Sequence, residues 1–439
     1  MNEVNNIFVN RRKAFISRLP QNTVAIIPNN SISFRSNDVE YRYRCDSDFY
    51  YLTGFDEPNS ICVLKKDKKS FTYYLFVEGN DKEKEIWIGK RVGTEGAKTH
   101  FKADKSFLIK EFNDKIKKIS SGVEYIFFPV GKNKELDITM ITLINDSKRS
   151  NRAALRTPKM ISDPRDIIHK MRLIKNEHEI DCIKNAIDVS QMAHISAMAC
   201  VKAGMFEYEI ESLIEYQFRV LGGIGPAYPS IVGSGKNSTI LHYINNNKKI
   251  QEGELILIDA GCEYDYYVSD ITRTFPAGKK FTPVQKDIYQ IVLDAQIKAI
   301  DEMKPGKRFI DSYNKAVRVI SEGLKELKLL KGSISEIIER EKYKKFFMHK
   351  LSHWLGLDVH DAGPYIDDDG SVIKLKSGMV LTVEPGIYIS NNDMDVPAMF
   401  RGIGVRIEDD MLITKDGNKI LTSGIPKSIQ EIETIRSGI

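Results

Sequence analysis

Apolar residues recur along this chain at two periods that alternate in blocks. Over residues 4–19 the apolar positions Val4, Ile7, Phe8, Phe15, Ile16 and Leu19 mark one face of a short amphipathic helix. Short apolar runs follow at 23–27, 60–64, 71–77 and 125–130, with polar stretches of helical character between them. That alternation predicts an α/β unit with short strands in an open mixed sheet. Pro158 and the Asp163-Pro164 pair break the pattern around 157–165 and predict a boundary. Beyond it, Ile180, Ile183, Ile187, Met192 and Ile195 predict a long helix over 176–201. A second helix over 206–221 should stop at Gly222-Gly223. From residue 254 onward, strands carrying acidic residues alternate with helices near 284–303 and 309–328.

This change of character divides the chain into a smaller α/β domain, residues 1–172, and a larger α+β domain, residues 173–439. Two domains also suit a length of 439 residues, since single cores stop growing near roughly 250–300. The net charge of +5, from 65 basic against 60 acidic residues, is too balanced for a nucleic-acid binder. The run Lys65-Lys66-Asp67-Lys68-Lys69 is predicted to be a solvated hairpin turn. Five widely spaced cysteines without a Cys-x-x-Cys pair argue against a disulfide framework or a thiolate zinc site. With no signal-like N-terminus and no apolar run of membrane-spanning length, a cytoplasmic protein with no membrane partner is expected.

The chemistry concentrates in four frames: LILIDAGCEYDYYVSDITRTF (255–275), FFMHKLSHWLGLDVHD (346–361), MVLTVEPGIYI (379–389) and RGIGVRIEDD (401–410). They hold Asp259, Asp270, His353, Glu384 and Glu408, each in an apolar or Gly-rich setting. Burying one unpaired carboxylate costs several kcal/mol, so about four together call for shared cations. A hairpin symmetric about the Tyr264–Asp265 bond would set Asp259 directly opposite Asp270, about 5 Å away. His349 and His353 are four apart, but Lys350 stands where a zincin helix needs Glu. On a strand, Arg406 and Glu408 would share a face, and the guanidinium could steady a ligating carboxylate. Asp409 and Asp410 are expected to face solvent or to support the ligands. His100, His169, His178 and His194 read as surface or satisfied helix residues. The Gly233-Ser-Gly235 run does not make a phosphate loop; the 228–243 segment reads as a flexible wall that delivers His242.

In order, these frames resemble the aminopeptidase P group, the Xaa-Pro aminopeptidases of the pita-bread metallopeptidase family. The N-terminal pieces SDFYYLTGF (47–55) and EIWIG (85–89) match as well, so the resemblance runs nearly end to end. It implies an α+β chain with a C-terminal pita-bread catalytic domain and an N-terminal domain of the creatinase/prolidase type. It also implies two divalent metal ions, usually Mn2+ with Co2+ or Zn2+ as alternatives. Asp259 would chelate one, Asp270 and Glu408 would bridge, and His353 with Glu384 would complete the other. A bridging water acidified by both cations would attack the scissile carbonyl, and Glu384 would carry its proton to the leaving proline nitrogen. By the same resemblance His242 and His360 orient substrate and stabilise the tetrahedral intermediate, and His349 lines the pocket. Tyr388 and Arg406 would form a hydrogen-bond relay around Asp259. Peptides beginning Xaa-Pro would be the partners, the protein a homo-oligomer (dimer or tetramer), and Asp48 and Trp87 would help restrict the pocket. One departure is the acidic loop 365–370, YIDDDG, where close bacterial relatives carry an arginine.

The rival with the same metal site is a prolidase cleaving only Xaa-Pro dipeptides. Methionine aminopeptidase usually lacks the large N-terminal domain. A peptide- or histone-binding pseudoenzyme and a creatinase-like hydrolase would not keep all five ligand-type residues.

Overall fold

The computed structural model describes residues 2–68, 70–149 and 158–438. The chain forms two compact units, Met1–Met171 and Arg172–Ile439.

In the first unit, helix Asn2–Arg18 buries Phe8, Phe15 and Ile16. Six short strands form one mixed sheet, in the order Lys105–Leu108, Phe71–Val77, Ile61–Lys66, Thr23–Pro28, Tyr125–Phe127, Met160–Ser162. The middle pairs are antiparallel and the outer ones parallel. Of the lysine run, Lys65 and Lys66 end the strand Ile61–Lys66, Asp67 donates its N–H to the Ser70 carbonyl ahead of Phe71–Val77, and Lys69 lies outside the described residues. The breakers expected to mark a boundary instead flank the edge strand Met160–Ser162, a three-residue element too short to show a period. Thr157, in that same stretch, lies outside the described residues.

In the second unit, helix Glu177–Cys200 begins at Asn176, whose side chain accepts from the Glu179 N–H while the Glu179 carboxylate accepts from the Asn176 N–H. Helix Glu207–Val220 stops before Gly222, which adopts φ +94° as an L side chain rarely does. Helices Pro283–Glu302 and Phe309–Glu326 pack on one another, and one apolar core runs through the unit. Strand Leu255–Asp259 lies between Ile231–Ser234 and Thr272–Pro276, antiparallel to both. Its four apolar residues are essentially buried, each contributing about 1.5–3 kcal/mol, and they anchor the strand that ends at Asp259. Two further antiparallel pairs, Val380–Val383 with Asp409–Ile413 and Gly386–Ile389 with Ile403–Arg406, bring the last two frames together.

The hairpin register differs from the expected one. Asp265 and Tyr266 both take left-handed conformations, at φ +48° and +70°, and form the two-residue turn. Tyr264 therefore pairs with Tyr267, and Asp259 faces Thr272 rather than Asp270. A shift of two residues leaves every side chain on its expected face, so both aspartates still point to one place.

Candidate metal centre

Asp259 and Asp270 meet at the hydroxyl of Tyr228, whose oxygen lies 2.7 Å from Asp259 Oδ1 and 2.5 Å from Asp270 Oδ1. Asp270 sits where the chain leaves the small hairpin, and its N–H donates to Asp410 Oδ2 at 3.1 Å. Donor atoms of Asp270, His353 and Glu408 all lie within 4.8 Å of one another. His353 Nε2 stands 3.3 Å from Asp270 Oδ2 and 3.5 Å from Glu384 Oε1. Its Nδ1 is engaged by the Trp354 carbonyl at 3.1 Å, which orients the ring and leaves Nε2 toward the carboxylates. The segment holding His349 and His353 is extended and irregular, so no shared helical face exists there. The two histidines reach the same carboxylate from different angles, His349 Nδ1 lying 3.8 Å from Glu384 Oε2.

Glu408 lies past the end of strand Ile403–Arg406 and is held by Thr272, whose hydroxyl donates to Oε2 at 2.7 Å. Arg406 therefore serves a different carboxylate from its near neighbour in sequence. Its Nη2 donates to Asp259 Oδ2 at 2.5 Å, its Nη1 to the Tyr388 oxygen at 2.9 Å and its Nε to Thr272 Oγ1 at 3.1 Å. A guanidinium can only donate, so the Tyr388 hydroxyl must turn its own proton to His349 Nε2, 2.9 Å away. His349 Nδ1–H then donates to the Lys350 carbonyl at 2.8 Å. Donation thus runs outward from Arg406, to Asp259 on one side and through Tyr388 and His349 to the Lys350 carbonyl on the other. It needs a neutral His349; burial, then the Arg406 charge, push that imidazole's pKa down to about 4.

His360 is exposed, its ring edge-on to His353 with centroids 4.4 Å apart. His242 is exposed too, and the next residue, Tyr243, packs in one cluster with Tyr388, which is bonded to His349. In the departing loop, Tyr365 stacks on Trp354 at 5.4 Å and meets Phe309 edge-on at 4.9 Å, and Asp369 Oδ1 accepts from the Ser371 N–H. In the first unit Asp48 is buried and bonded to His169 at 3.1 Å, whereas Trp87 is 87% exposed.

Asp409 and Asp410 do not face solvent; both are fully buried. Asp409 accepts from Arg273 Nη2 at 2.7 Å and Lys427 Nζ at 2.5 Å. Asp410 supports Asp270 through its N–H, as described. Of the four histidines read as bland, His194 is buried and satisfied at Nε2 by the Ala260 carbonyl, 2.9 Å away. The residues not anticipated are Tyr228, Thr272 and Arg273. Tyr228 opens the segment credited only with His242, and Thr272 and Arg273 sit inside the DITRTF frame directly after Asp270. The polar run Thr272-Arg273-Thr274 ahead of Phe275 was the available signal.

The electrostatics fit bound cations. Burial, followed by the charges of Asp270, Glu384 and Asp259, drives the Glu408 pKa far up. Burial also raises Glu384 and Asp259, against partial relief from His353 and Arg406 respectively. Burial opposes a charged His353, yet hydrogen bonding to Asp270 and the Glu384 charge lift its pKa from 6.5 to about 9. Each shift marks a site short of positive charge, and a donor set of carboxylates and one imidazole suits manganese, cobalt or zinc.

A pH dependence follows for the metal-free protein. Carboxylates with raised folded pKa values hold extra protons in the fold, so stability falls as pH climbs above the ordinary carboxylate range. The stabilisation from His353 is fully present below 6.5 and disappears as pH rises through about 9. Both trends point the same way, and divalent cations replace the missing protons. The gain in Tm on adding Mn2+ to chelator-treated protein should therefore grow between about pH 5 and about pH 9. A gain independent of pH in thermal melts would contradict this.

Comparisons with known proteins agree with this geometry. Residues 181–415 match the model of metallopeptidase family M24, and residues 8–127 match that of the aminopeptidase P N-terminal domain. The Xaa-Pro aminopeptidase of Escherichia coli K12 is 40% identical over 98% of this chain and 97% of its own. Among solved structures, Pseudomonas aeruginosa aminopeptidase PepP superposes with a TM-score of 0.96 at 42% identity, covering 99% of this chain and 98% of that one. Zinc-substituted E. coli aminopeptidase P in complex with product gives a TM-score of 0.95 at 40% identity, with 99% and 98% covered. The expected pita-bread architecture with its N-terminal domain is thus the observed one. No helix among the described residues is long and apolar enough to cross a membrane. The chain belongs to metallopeptidase family M24, in its aminopeptidase P group.

Proposed function

We propose that this protein is a metal-dependent Xaa-Pro aminopeptidase that releases the first residue from peptides with proline second. The observation that carries the reading is the convergence of Asp270, His353 and Glu408, flanked by Asp259 and Glu384, in a chain alike end to end to an enzyme of that name. These five residues would hold two divalent cations, manganese first, with cobalt or zinc as substitutes. When bound, the cations supply Lewis acidity and an acidified water as the nucleophile. Glu384, 3.5 Å from His353 with its proton affinity raised by burial, suits taking up a proton and returning it to the departing proline nitrogen. His242 and His360, at the exposed mouth, orient the scissile carbonyl and stabilise its developing charge. Arg406, Tyr388 and His349 hold Asp259 as an anion of fixed orientation.

An Xaa-Pro bond has no N–H to offer and a fixed φ, so peptidases that grip substrate as an added strand lose a hydrogen bond there. A pocket shaped for the ring and the free amine recovers that binding energy. Trp87, exposed together with Ile86 and Ile88, supports the expectation of a homo-oligomer, dimer or tetramer, better than the buried Asp48 does. The N-terminal domain match and the relatives' names favour this reading over a prolidase. Steady-state assays should show turnover of Xaa-Pro-Yaa peptides exceeding that of Xaa-Pro dipeptides; turnover of dipeptides alone would replace the proposal with the prolidase.

A further inference from the structure

Glu207 opens helix Glu207–Val220 and is fully buried. An acidic residue in a first turn ordinarily serves its own helix, but this carboxylate is turned to another part of the chain. Its Oε1 accepts from the Ser234 N–H and the Ser234 hydroxyl, both at 2.7 Å, and from the Asn237 amide at 3.1 Å. Its Oε2 accepts from the Tyr243 hydroxyl at 2.8 Å and the Lys248 N–H at 2.9 Å. Five donors thus crowd two oxygens that offer about four lone-pair sites. All come from residues 234–248, the segment that carries His242.

The strand that leads into that segment, Ile231–Ser234, runs beside Asp259. Ile231 pairs with Asp259, and the Gly404 N–H donates to Ser238 Oγ at 2.9 Å. A Cβ at Gly404 would lie 2.0 Å from the Ser238 carbonyl oxygen, so the approach is close. The Tyr243 ring packs with Ile231, Leu257 and Tyr388. His242, itself exposed, takes its place from the backbone beside Tyr243.

We infer that Glu207 is the positioning residue for His242, gathering Ser234, Asn237, Tyr243 and Lys248 into one frame that holds the imidazole beside the metal centre. The inference rests on the role proposed for His242. Glu207→Gln keeps the volume but sets an amide donor against donors on one side of the frame. In the full-length, manganese-loaded protein, E207Q should lower kcat/KM for Xaa-Pro-Yaa peptides by about 10–100-fold and leave metal content unchanged. It should also shift the His242 ring resonance in histidine-labelled NMR spectra. Within a His242→Ala background the same change should cost no more than about twofold. Equal losses in both backgrounds, wild-type activity of E207Q, or loss of metal would overturn the inference. If E207Q does not fold, Tyr243→Phe removes a single donor and must show the same non-additivity at smaller amplitude; no effect there would overturn it too. Should the wild-type protein fail to cleave Xaa-Pro-Yaa peptides, the proposed function falls, while the His242 resonance in E207Q still decides the positioning: a shift upholds it, an unchanged signal refutes it.

Discussion

Asp270→Asn is expected to cut kcat/KM for an Xaa-Pro-Yaa peptide by about three orders of magnitude, equivalent to about 4 kcal/mol of lost transition-state stabilisation. Asp270 joins three members of the centre. Asp270 receives the Tyr228 hydroxyl at 2.5 Å, stands 3.3 Å from His353 Nε2 and converges with Glu408. Asparagine keeps the shape and the backbone bond to Asp410 but removes one negative charge. It also puts an NH2 donor, at one position or the other, where a carboxylate oxygen met Tyr228 or His353. The folded structure should survive, as read by far-UV circular dichroism, while cation stoichiometry falls. Full activity in this variant would remove Asp270 from the bridging role.

Arg273→Met should destabilise the protein by about 3–5 kcal/mol, because it breaks a buried ion pair from one side. Arg273 and Asp409 are each wholly inaccessible to solvent. The guanidinium saturates its five N–H groups on the carbonyls of Thr272, Glu408, Ile425 and Pro426 and on Asp409 Oδ1. Methionine fills the volume but leaves Asp409 to Lys427 and Thr422 alone, and strands the carbonyls of Glu408, Ile425 and Pro426, while Thr272 keeps the Glu408 N–H. Urea unfolding of the manganese-loaded protein, at constant m-value, reads the loss directly. A shift under about 1 kcal/mol would mean that water or rearrangement satisfies those groups.

The carboxylates of the candidate site stood out in the sequence because Asp259, Glu384 and Glu408 end or follow a strand, where an unpaired charge is costly to bury. The long helices were legible for a similar reason: Asn176 with Glu179, and Gly222 behind Val220, are local signals that tertiary packing did not override. What escaped was set by contacts distant in sequence. Asp265 and Tyr266 carry no glycine to announce a left-handed turn, so the hairpin centre moved by one residue and the pairing by two. By spacing Arg406 looked like a partner of Glu408, yet the strand ends between them and Arg406 reaches Asp259, 147 residues earlier, a placement that the family resemblance implied and the local pattern did not. Asp409 and Asp410 were expected to face solvent or to support the ligands; Asp410 does support Asp270, whereas nothing local reveals that Arg273, 136 positions away, lies against Asp409. Tyr228 was hidden by its ordinary surroundings in a loop, where only the folded structure shows two carboxylates at its hydroxyl.

The measurement that bears most directly on the whole account is a manganese titration of chelator-stripped protein, following release of the N-terminal residue from an Xaa-Pro-Yaa peptide. Negligible turnover is expected without cation, and activity that saturates at two ions per chain. Turnover that survives exhaustive chelation, or none at any concentration of manganese, cobalt or zinc, would contradict it.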